Sequence, residues 1–430
     1  MIEPDQGFTS DVIRDPARFV GRSSEIRDCT KALNSSLSLT AVYGKRGVGK
    51  SSLLRQVQQL AVGNYRLLKH AGMEHEIPKR PRKYLTVYYT CDAMIKNGEE
   101  LLSRLCNDQN AEDGLLRLVP NEGRELVEFE RSKGVEGGVD LKLVNWGAHG
   151  TESSKYARIV PNDIVQTFRN FCSSIIQHQV RSRMNRDGLL IMLDEFDVIR
   201  DKSNIGSLIK SLSAEDLRFA ISGIGRDLQD LVEDHASVER LLEEGAIRVR
   251  GMSSDEIYAI FTKATELFKG QVRFEDNVVE QIAKMSSGYP YLAQLIGKEC
   301  IHHLNRIGGN IVNDSILREV TVDIKEGRAF PTLEAQYQRA IGDSEDRKML
   351  LHFLAEQADA TDLLDEELGK VLLKQLRRDV EGLGINYIDQ LVPRLVDRKF
   401  GPILFRHAEK QGVYEFENPV LRLYVRLRNI

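Results

Sequence analysis

The chain has little that would staple it or anchor it. Its 430 residues include only five cysteines, Cys29, Cys91, Cys106, Cys172 and Cys300, scattered and odd in number. That usage argues against a disulfide framework and fits reduced thiols in a cytoplasmic protein. No long apolar run is present. The strongest, Leu189–Leu193, is far too short to cross a bilayer. The opening residues MIEPDQGFTS lack the basic and apolar regions of a signal peptide, so a membrane partner is not expected. The nine histidines have no spacing with cysteine that would build a zinc site. The formal net charge of −4 excludes a uniformly basic coat for nucleic acid and leaves room for a local basic face. There is no fixed-period repeat and no low-complexity tract.

What remains is ordinary globular material, 41% hydrophobic and 29% charged, long enough for two or three domains. Short β-rich runs alternate with helical apolar spacing through the first 250 residues. The runs are Ser38–Tyr43, Tyr84–Cys91, Leu189–Leu193, Phe219–Ser222 and Ala246–Val249. Leu189–Leu193 has no polar alternation, so both its faces are expected to be covered. This order predicts an α/β fold, a parallel sheet with helices on both faces. Between the second and third runs lies more chain than a crossover helix needs. Glu125–Arg131 and Val139–Asn145, around the glycines at 134–138, read as a β-hairpin insertion within about 113–160. Surface decoration and a functional loop are both open for it.

From Gly251 to about 327 the pattern is helical throughout. Ser253, Asp255 and Glu256 mark a helix start. Beyond 331, helical stretches are expected at about 344–357, 365–378 and 387–400, followed by β-like runs Pro402–His407 and Val413–Phe416. Three helices and a hairpin suggest a winged helix-turn-helix. The domain division is therefore 1–250, 251–330 and 331–430.

Chemistry concentrates in one segment. Gly44-Lys45-Arg46-Gly47-Val48-Gly49-Lys50-Ser51 fits G-x-x-x-x-G-K-[ST], follows a strand and opens a helix. Glycines let the backbone aim several N–H groups at phosphate oxygens, and the helix adds its positive end. Lys50 is suited to the β- and γ-phosphates, Ser51 to Mg²⁺, and Ser52 beside it to the nucleotide. The apolar strand at 189–193 ends in Asp194-Glu195, at the carboxyl end where open α/β sheets bind ligands. Asp194 would hold Mg²⁺ through water and Glu195 would polarise the attacking water. Ser222, at the tip of the next strand, is a candidate for the γ-phosphate or for positioning water; it also reads as a plain strand-terminating serine. Arg240 sits where a neighbouring subunit's nucleotide would be in reach. Its other reading is a helix-surface arginine paired with Glu243 or Glu244.

These residues together resemble AAA+ ATPases, within them the origin-recognition-like and STAND-like ATP-binding proteins of prokaryotes. Pro16–Arg22 followed by Glu25 looks like the family's N-terminal nucleotide-recognition box, which implies that Phe19, Val20 and Gly21 lie near the adenine. The resemblance makes Gly44–Ser51 the Walker A motif, Asp194-Glu195 Walker B, Ser222 sensor 1, Arg240 the arginine finger and 252–327 the lid. It covers about residues 10–330, and the winged-helix tail fits with weaker motifs. There are two departures from the origin-recognition pattern. Sensor 1 is serine rather than asparagine, and Ser287-Gly288-Tyr289-Pro290 stands where a sensor-2 arginine is usual. The latter resembles the Gly-x-Pro motif of STAND switches, which implies that Pro290 contacts the nucleotide.

From Arg394 to the end there are eight Lys/Arg against four Asp/Glu. Arg394, Arg398, Lys399, Arg406 and Lys410 are the candidate contacts to DNA phosphates, although winged helices also dock proteins. Two functions follow as expectations. One is an ATP- and Mg²⁺-dependent AAA+ ATPase that forms homo-oligomers and couples hydrolysis to DNA binding and recruitment of a second protein. The other is a slow STAND-like nucleotide switch or scaffold in a prokaryotic defence or signalling system, its winged helix docking protein.

Overall fold

The computed structural model describes residues 1–107, 115, 118, 164–225, 245–357, 370–372, 388–406 and 413–428. The expected hairpin runs at 125–131 and 139–145 and Arg240 lie outside the described residues, as does Lys410. The chain forms two compact units: Ser23–Tyr43 with Lys50–Arg248, and Met1–Arg22 with Gly44–Gly49 and Val249–Ile430.

The first of these units is built on a five-stranded parallel sheet. Its strands are β1 (Leu39–Gly44), β2 (Tyr84–Thr90), β3 (Gly188–Asp194), β4 (Leu217–Ile224) and β5 (Ala246–Arg248), in the order β2-β3-β4-β1-β5. Helices α1 (Ser23–Asn34), α2 (Lys50–Ala61), α3 (Gly98–Asn107), α4 (Ile164–Ile175) and α5 (Ile205–Leu212) accompany it. Every residue of β3 is buried, as its unbroken apolar run requires of a central strand covered on both faces. Alternation divides the residues between the faces. Val87, Tyr89, Ile191, Leu193, Phe219 and Ile221 join the large apolar core with α3 and α4. The intervening residues Tyr88, Met192, Asp194, Ala220 and Ser222 turn to the other face, where α2 packs against β2, β3 and β4.

The second unit is largely helical. α6 (Ser254–Leu267), α7 (Asp276–Ser286), α8 (Pro290–Ile307) and α9 (Asp314–Lys325) follow one another. The stretch is not helical throughout, because β6 (Arg273–Phe274) and β7 (Ile311–Val312) pair in parallel. Ser253 opens α6 with a capping box. Its Oγ accepts from Glu256 N–H, and Glu256 in turn accepts from Ser253 N–H. The N-terminal lead-in is stitched to these helices through Phe8, fully buried, with ring centroids 5.3 Å from Phe261 and 5.6 Å from Phe274.

The same unit continues through α10 (Pro331–Ile341), α11 (Glu345–Gln357), β8 (Lys370–Leu372), α12 (Ile388–Val396), β9 (Leu404–Arg406), β10 (Val413–Phe416) and α13 (Pro419–Leu427). The three strands form an antiparallel sheet in the order β8-β10-β9. Lys370–Leu372 was expected inside a helix at 365–378 and is instead a strand. Its pairing with Val413–Glu415, more than 40 positions away, overrides the local apolar spacing. The helix expected to run to 400 ends at Val396. Asp397 leaves the helical conformation, and its carboxylate accepts from Lys399 N–H to cap a separate 3₁₀ turn.

Candidate nucleotide site

In the helical unit, the loop Gly44–Gly49 is held from several sides. Gly47 (φ +82°) and Gly49 (φ +98°) lie in the left-handed region that favours glycine. Space demands glycine at 47 as well: a Cβ there would lie 2.6 Å from Val420 Cγ2 at the start of α13. At 49 a Cβ would meet Pro290 Cγ at 3.9 Å, so the Tyr289-Pro290 turn opening α8 flanks the loop. Lys45 Nζ stands 3.8 Å from Glu415 Oε1 on β10, both side chains largely buried. The C-terminal strand and helix therefore touch this loop with both an apolar and a charged contact.

Arg22 closes the Pro16–Arg22 segment, and the sequence gives it no role of its own. It is 2% exposed, with φ +63°. Its Nη2 donates to Val48 O and its Nη1 to Arg250 O, each at 2.6 Å. Its backbone N–H donates to Glu256 Oε1, the carboxylate already engaged in the α6 cap. One guanidinium thus ties the loop at 44–49 to the chain entering α6. The only trace in the sequence is a charged residue directly after Phe19-Val20-Gly21. Of those three, Phe19 is buried, and Gly21 (φ +70°) packs on the Glu256 side chain.

In the sheet unit, Lys50, Ser51 and Ser52 form the first turn of α2, all partly exposed. Asp194 ends β3 and is buried. Its Oδ1 accepts from the N–H of Glu195 at 3.0 Å, and its Oδ2 accepts from Tyr88 Oη–H at 2.5 Å. Glu195 is exposed and left-handed, φ 53°. A non-glycine residue in that conformation costs of order 1 kcal/mol and is commonest at functional turns. Ser222 lies one step beyond the registered pair Leu193↔Ile221, as does Asp194, so the two are lateral neighbours on one face. Ser222 is fully buried, and among the described residues its Oγ has no hydrogen-bond partner. Cys91, immediately after β2, is an unreactive thiol. Burial, reinforced by the Asp194 charge, pushes it far above its usual range.

Among the described residues no three His, Cys, Asp or Glu side chains gather as a ready-made metal site. A hydroxyl at Ser51 and a carboxylate at Asp194 would supply hard oxygen donors. That fits Mg²⁺, which takes one or two protein oxygens and completes its shell with phosphate and water. The orphaned Ser222 hydroxyl beside Asp194 fits a polar ligand at the same strand ends.

The family model for novel STAND NTPase 1 matches residues 6–294, two thirds of the chain. The chain belongs to that family. It is an NTPase of the STAND type, and its five-stranded parallel sheet accords with that assignment. No curated protein matches it. Solved structures similar to it include the Walker-type ATPase PABY2304 of Pyrococcus abyssi, at 15% identity and a TM-score of 0.48, covering 95% of this chain and 96% of that one. The Aeropyrum pernix ORC2 protein, in ADPNP-ADP complexes, is 15% identical with a TM-score of 0.44, covering 94% and 91%. Cdc6p from Pyrobaculum aerophilum is 12% identical with a TM-score of 0.41, covering 100% and 98%. At these TM-scores none of the likenesses carries the assignment; the family match and the motif residues carry it. Among the described residues no helix is long and apolar enough to cross a membrane.

Proposed function

We propose that this STAND NTPase binds ATP with Mg²⁺ and acts as a nucleotide-dependent switch with slow hydrolysis. The loop Gly44–Gly49 wraps the phosphates with backbone N–H groups, Lys50 adds a charge-assisted contact, and Phe19, Val20 and Gly21 lie beside the base. Ser51 and Asp194 hold the cation, which when bound neutralises phosphate charge. Glu195 orients water, and Ser222 offers its hydroxyl toward the terminal phosphate. Residues 1–250 act as the nucleotide-binding core, 251–330 as the lid and 331–430 as a winged-helix domain, a reading supported by the three-stranded antiparallel sheet at 370–416.

One observation carries the switch reading. The phosphate loop is touched by the lid at Pro290 and by the C-terminal part at Glu415 and Val420. Phosphate arriving at the loop alters the Lys45–Glu415 attraction directly, so nucleotide state reaches the C-terminal part through charge. The test is Glu415→Gln. It keeps the shape of the side chain and removes the charge that competes with phosphate for Lys45. ATP affinity should rise, and protease sensitivity of the 413–428 segment should become less dependent on nucleotide. Unchanged affinity together with unchanged nucleotide dependence refutes the reading.

A second reading, an oligomeric ATPase coupled to DNA and to a partner protein, is favoured by Arg394, Arg398, Lys399 and Arg406, all exposed near α12 and β9. DNA stimulation of turnover that weakens steeply with salt would select it over the switch.

A further inference from the structure

The sheet face that meets α2 carries an arrangement that no part of the nucleotide motif accounts for. Tyr88 lies opposite Met192 in the β2/β3 register, two residues before Asp194 and on the same face. Its hydroxyl reaches diagonally to Asp194 Oδ2 at 2.5 Å. The other carboxylate oxygen is fixed by Glu195 N–H at 3.0 Å. With one donor on each oxygen, the carboxylate plane has no freedom to rotate. Tyr88 is itself clamped, because the Arg55 guanidinium carbon sits 3.3 Å from its ring centroid, over the face. Arg55 also donates to Gln58 Oε1 at 3.0 Å, which keeps its side chain along α2. It stands four residues after Ser51, one turn further along the same helix face.

We infer that Tyr88 and Arg55 form a positioning relay that links the α2 helix to the Asp194 carboxylate and sets its orientation toward the nucleotide-bound cation. This rests on the proposed roles of Asp194 and Ser51. The physical argument is that of outer-shell partners generally. A carboxylate that binds a metal through water must present its free lone pairs in a fixed direction, and hydrogen bonds on the remaining lone pairs supply that direction. A tyrosine hydroxyl also leaves the carboxylate its full charge, whereas an arginine or lysine in the same place would neutralise it. The relay therefore orients without weakening attraction for a cation. Arg55 acts on the carboxylate through the ring it stacks on. Tyr88 and Arg55 are positioning residues; neither is given a contact with nucleotide.

The experiment measures ATP affinity by titration calorimetry on the full chain, first in EDTA and then across a Mg²⁺ series. Five proteins are compared: parental, Tyr88→Phe, Arg55→Met, the double variant carrying both changes, and Asp194→Asn. Tyr88→Phe should leave the metal-free affinity near parental and require about tenfold more Mg²⁺ for the half-maximal gain, the usual cost of losing an outer-shell partner. Arg55→Met should shift the Mg²⁺ midpoint the same way by less, and the double variant should be no worse than Tyr88→Phe alone, because the two act in series. If Tyr88→Phe fails to fold, Arg55→Met reads the same midpoint from the other end of the relay. A parental Mg²⁺ midpoint in Tyr88→Phe or, failing that, in Arg55→Met, while Asp194→Asn loses its Mg²⁺ response, overturns the relay and leaves the Asp194 assignment standing. A parental response in Asp194→Asn overturns the assignment itself and the relay with it. A loss of metal-free affinity equal to the loss in Mg²⁺ also overturns the relay, since it marks a merely structural role.

Discussion

Replacing Arg22 with methionine should loosen the phosphate loop while leaving the sheet unit intact. The guanidinium makes two bonds to main-chain carbonyls, Val48 O and Arg250 O, at 2.6 Å each and almost wholly out of water. A hydrogen bond to a charged donor contributes about 1.5–3 kcal/mol. Methionine fills much of the same volume and replaces neither bond. Allowing for local relaxation that lets water reach the freed carbonyls, about 3 kcal/mol of the loop's resistance to opening is lost. At about 1.4 kcal/mol per decade, the loop opens roughly 100-fold more often. Hydrogen exchange read by mass spectrometry on peptides covering 44–55 and 248–256 reports this directly. Exchange there should accelerate by about that factor, with peptides from β3 and β4 unchanged. Arg22→Lys, which keeps the charge and at most one of the two bonds, should fall between. Parental exchange at 44–49 in Arg22→Met would mean that the guanidinium does not hold the loop, and the reasoning would fail.

Three further outcomes are expected. Glu195→Gln should bind ATP as the parent does and turn it over about 10²–10⁴-fold more slowly; parental turnover would remove Glu195 from the reaction. Arg240→Ala should keep ATP binding and lose turnover if active sites are shared between subunits, and mixing it with Lys50→Ala should restore part of the activity; no recovery on mixing, in assemblies shown to contain both chains, argues for a site complete within one chain. Burial, aided by Lys348, holds the His352 imidazole below its ordinary value. The unfolded chain therefore binds the extra proton first, so stability should fall as pH drops from about 6.5 toward the lower folded value, and this slope should flatten in His352→Gln. An identical pH slope in that variant would assign the acid sensitivity elsewhere.

Much of the sheet was legible because its strands are marked by composition alone. Leu189–Leu193 is an unbroken apolar run, and burial on both faces is the only stable use of one in a chain of this kind. Gly44–Ser51 announces itself through the backbone freedom that phosphate binding needs, and the two left-handed glycines follow from it. The supporting contacts were not legible. Nothing local distinguishes Tyr88 from Tyr89; only the register with Met192 and the face shared with Asp194 give Tyr88 its partner. Glu415 and Val420 meet the loop across more than 360 residues of chain, a distance over which spacing says nothing. The strand at 370–372 was hidden for the same reason. Three residues within a stretch of helical apolar spacing form a strand by pairing with β10.

The central claim is that the loop at 44–51 holds a nucleoside triphosphate. Titration calorimetry of ATP with Mg²⁺ into the parental chain and into Lys50→Ala tests it most directly. The parental chain should bind one ATP per chain, and a folded Lys50→Ala protein, deprived of a charge-assisted phosphate contact, should bind at least about 10–100-fold more weakly. Equal affinity in the two proteins, or no binding by the parent, would contradict the account.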